Sequence, residues 1–76
     1  MEIKVVKQEQ ISPYIERWQV ELPKSRFMEF GFFLEAMEGV GLHKRSFETE
    51  NLMEVDVSID FKQDLLNLIA DLQTYS

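Results

Sequence analysis

One stretch constrains the fold more than any other: Val40 to Ile59 can be folded back on itself so that both faces make chemical sense. Turned about "ETEN" (Glu48 to Asn51), a four-residue loop sets Phe47 opposite Leu52 and Arg45 opposite Glu54. His43 then faces Asp56, Leu42 faces Val57 and Val40 faces Ile59. Apolar pairs share one face and opposite charges the other. A slip of one residue would carry the apolar set into water, so pattern and register support each other. A hairpin apolar on one face needs a second layer to cover it.

The remaining sequence supplies that layer. "YIERWQVEL" alternates from Tyr14 to Leu22, with Tyr14, Trp18, Val20 and Leu22 on one face and Arg17, Gln19 and Glu21 on the other. It reads as a strand, as does the shorter β-branched stretch Ile3 to Val6 before it. Ser12-Pro13 ends the polar connector between them. Pro23 suits the first position of a helix, where its missing N–H is not needed. Gly39 suits the left-handed cap that ends that helix, with Val40 making the accompanying apolar contact. Asp60 and Gln63 have the spacing of a capping box. The helix they open carries an apolar stripe of Phe61, Leu65, Leu68, Ile69 and Leu72, with Asp64, Asn67 and Asp71 opposite.

The order is therefore strand, strand, helix, strand, strand, helix. Right-handed crossover rules place the third strand of the β-α-β-β-α core between its first and second. The expected class is α+β: a ferredoxin-like two-layer sandwich, with an antiparallel sheet of three to four strands and two helices on one face. The N-terminal strand takes the edge that a C-terminal strand normally fills. A chain of 76 residues makes a single domain, 1–13 being N-terminal strand and connector and 14–75 the core.

Domains this small usually add a disulfide, a metal or a second subunit. With no cysteine there is neither disulfide nor thiolate site, and with His43 the lone histidine any metal would rest on carboxylates. No metal or cofactor is expected, which leaves self-association as the common device. The formal charge of −6 argues against a nucleic-acid partner, whose backbone is bound by clustered Lys and Arg. The apolar run Phe32 to Leu34 is far too short for a bilayer, and "MEIKVVKQEQ" does not resemble a signal peptide. A cytoplasmic protein without membrane contact is the expectation.

"FMEFGFFLEAMEG" (Phe27 to Gly39) is apolar on two sides. At 100° steps, Phe27, Phe30, Phe33, Leu34 and Met37 fill an arc of about 120°, the width of a core stripe. Met28, Phe32 and Ala36 form a second arc flanked by Ser25, Glu29 and Glu35. Either the termini or the neighbouring helix cover it, or it is an interface, where aromatic and Met side chains are enriched.

The open face of the sheet carries Arg17, Gln19 and Glu21, then Glu54, Asp56 and Ser58, then His43, Arg45 and Phe47. His43 with Asp56 could shuttle a proton, but a flat solvated sheet lacks the cleft that tunes such a pair. A ladder of cross-strand charge pairs is the simpler reading. Phe47 alone could stack a base, which is too little for an RNA-binding sheet. Lys44, inward on an edge strand, discourages edge-to-edge pairing. "EGVG" (Glu38 to Gly41) is flexible enough to approach a small ligand, with Gly39, Gly41 and His43 as its candidate binding residues, although no helix follows to make a phosphate loop.

Pro23, "EAMEG" (Glu35 to Gly39), "LHKRS" (Leu42 to Ser46) and the amphipathic end resemble the pattern of a bacterial family of small β-α-β-β-α proteins with no assigned activity. That resemblance implies architecture and no chemistry. The layout is more loosely similar to ACT-type regulatory domains, which often dimerise and bind amino acids. The expected function is thus a non-enzymatic module that forms a homodimer or docks a protein partner through Met28, Phe32 and Ala36. The alternative is an ACT-like amino-acid sensor using the Gly39–His43 turn.

Overall fold

Alternation in strand β2 (Ile15–Glu21) decides which side of the sheet is core: Trp18 and Val20 are fully buried, as is Leu22 just beyond the strand. The computed structural model describes residues 1–45 and 51–74. Strands β1 (Lys4–Gln10), β2, β3 (Val40–Arg45) and β4 (Leu52–Ser58) form one antiparallel sheet in the order β1-β2-β4-β3. Helix α1 (Phe27–Glu35) connects β2 to β3, and α2 (Lys62–Thr74) follows β4. The third core strand lies between the first two, and β1 takes the edge beyond β2, as the crossover rule requires.

Met53, Val55 and Val57 of β4 continue the buried face of β2. Phe27, Phe30 and Leu34 of α1 and Leu65, Ile69 and Leu72 of α2 join them in one cluster. Both helices therefore cover the same face, giving the ferredoxin-like two-layer sandwich. Gln73 Nε2 donates to the Ile3 carbonyl at 2.8 Å and ties the end of α2 to the approach of β1.

Element ends differ from the sequence expectation in three places. Pro23 is not helical: its ψ of 139° is extended, and a 3-10 turn (Lys24–Arg26) intervenes before α1. Asp60 lies inside a second 3-10 turn (Ile59–Phe61), and Gln63 donates to Asn67 Oδ1 at 3.1 Å instead of reaching back to cap. Tyr14, assigned to the inner face, precedes β2 and is 77% exposed. Gly39 does end α1 in the left-handed region, at φ 72°.

The hairpin register is also corrected. Val40 pairs with Val57, Gly41 with Asp56 and Leu42 with Val55; beyond an irregularity at His43, Lys44 pairs with Glu54 and Arg45 with Met53. The cause lies at the far end of β4. Ile59 is in the 3-10 turn, with its N–H bonded to the Tyr14 carbonyl at 2.9 Å, so it cannot pair with Val40. Ser58 instead donates to the Gly39 carbonyl at 2.7 Å and closes the ladder there. At that end the shift is two residues, an even number that keeps each residue on its face. The expected turn and the Phe47–Leu52 pair rest on residues 46–50, outside the described residues.

Candidate functional site

Helix α1 is nine residues long and buries Phe27, Phe30 and Leu34. A stripe at that spacing commits about a third of the helix surface to the core. On the opposite side Met28 is 71% and Phe32 63% exposed, and Ala36, the residue closing the helix, is exposed too. The second arc is thus solvent-facing, and neither the neighbouring helix nor the described part of the termini covers it. Phe33, expected in the core stripe, is 40% exposed. The inward arc centres between Phe30 and Leu34, and at 100° per residue Phe33 falls about 80° from that centre, on the shoulder. Met37 stays half-buried against the core. Met28, Phe32, Phe33 and Ala36 therefore form one apolar surface.

Charge brackets this surface unevenly. Lys24 and Arg26 stand exposed just before the helix, with Arg26 Nη1 on Glu29 Oε2 at 2.7 Å. Glu35 ends the helix and Glu38 follows it, both exposed. One end is basic and the other acidic.

The alternative site is not assembled in the same way. Gly39 and Gly41 are exposed, but a Cβ on Gly39 would run into the ring of Phe61. Close packing and the positive φ together account for glycine there. Gly41, not His43, stands opposite Asp56, and His43 falls at the register irregularity. Asp56 is held by Arg17, which donates from Nε to Oδ1 at 2.8 Å and from Nη2 to Oδ2 at 3.2 Å. That pairing raises the Arg17 pKa further and makes the open face a charge ladder at this point. An open depression of about 580 Å³ lies at the other end of the sheet, beside Ile3, Leu22 and Asn51, where the Lys4–Glu21 ion pair spans 3.5 Å.

Sequence reading passed over Glu16, which is buried at 9% exposure on the core face of β2. Trp18 Nε1 donates to its Oε1 at 2.9 Å and Lys62 Nζ to its Oε2 at 3.1 Å. Both hydrogen bonds, the Trp18 one foremost, hold the carboxyl below its ordinary pKa. The signal was parity: Glu16 falls two residues before Trp18 and must share its face. Among the described residues no buried side-chain nitrogen or oxygen lacks a partner, and no group of three or more acidic or histidine side chains gathers as a metal site. No described helix is long and apolar enough to cross a membrane.

Comparison with protein-family models, with curated proteins and with solved structures gave no match to this chain.

Proposed function

We propose that this protein is a non-enzymatic, self-associating module whose contact is the outer face of α1, formed by Met28, Phe32 and Ala36. The observation that carries this reading is the exposure of Met28 and Phe32 on a helix whose other side is already committed to the core. Covering one such side chain is worth about 1.5–3 kcal/mol, and the central part of an interface is built of residues of this kind.

The sheet edges favour the same face. Register shifts interrupt β1 at Val6 and β3 at His43, and bulged edges resist pairing with another strand. A contact of this extent lies at the small end of specific interfaces, so the dimer is expected to dissociate on dilution. Replacing Phe32 by Glu buries a charge in the contact while leaving the core untouched. The variant is expected to keep its circular dichroism spectrum and halve its solution mass at a concentration where the parent is dimeric. Unchanged mass at that concentration overturns the assignment.

A further inference from the structure

We draw no further inference here: the strongest candidate, the apolar outer face of α1 at Met28, Phe32 and Ala36, belongs to the site already described, and nothing in the structure shows what covers it.

Discussion

Glu16 lies on the core side of β2, where an unpaired carboxylate would carry a desolvation cost of several kcal/mol. Trp18 and Lys62 remove that cost by donating to one oxygen each. The first partner comes from the same strand and the second from the start of α2, so the carboxylate couples sheet to helix. Its pKa is lower folded than unfolded, so it binds a proton more weakly in the native state. Its contribution is therefore complete above the ordinary value of 4.5 and is lost as pH falls through the lowered folded value. Glu16→Gln is expected to lose about 1–3 kcal/mol at neutral pH. Urea denaturation of parent and variant should show that difference at neutral pH and a smaller one at about pH 3. A difference that stayed constant across that range would assign the loss to packing instead of charge. Gly39 is another residue whose identity the fold dictates, because Phe61 packs where a side chain would go.

At the scale of elements, α1 is one short helix with an apolar side that is buried and another that is exposed. Phe30 is fully buried, whereas Phe32, two residues on, is mostly exposed. Phe30→Ala is expected to cost about 3–5 kcal/mol, enough to unfold much of a domain this small. Phe32→Ala, measured by denaturation at a dilution where the chain is monomeric, is expected to stay within about 0.5 kcal/mol of the parent. Equal losses would mean that Phe32 is internal after all. Order and layering of the elements were legible because period 2 and period 3.6 alternate cleanly along the chain. The β3–β4 register was not, since counting back from a turn assumes an uninterrupted ladder. The irregularity at His43 and the capture of Ile59 by Tyr14 break that assumption. Both helix starts were misplaced for a related reason: 3-10 turns lead into α1 and α2, and residues that look like caps sit within or before those turns. The Met28–Phe32–Ala36 arc was legible from helical phase alone. Its exposure was not, because phase tells which residues share a side and not what lies against it. Phe33 sits on the boundary between the two arcs, where phase decides least.

For the whole molecule, the buried apolar side chains among the described residues form one cluster, and cysteine is absent from the sequence. A second subunit is one of the devices by which domains this small supplement their cores, and the apolar outer side of α1 is a surface it could cover. If α1 self-associates, dimer formation adds to folding stability and makes it depend on protein concentration. The bulged edges and the paired charges on the open face, Arg17 with Asp56 among them, leave the helical side as the surface best suited to a second copy. Sedimentation equilibrium of the unmodified protein over a dilution series tests this most directly. The account predicts twice the 9.0 kDa chain mass at the concentrated end, falling towards 9.0 kDa on dilution. A mass of 9.0 kDa at every concentration would contradict it.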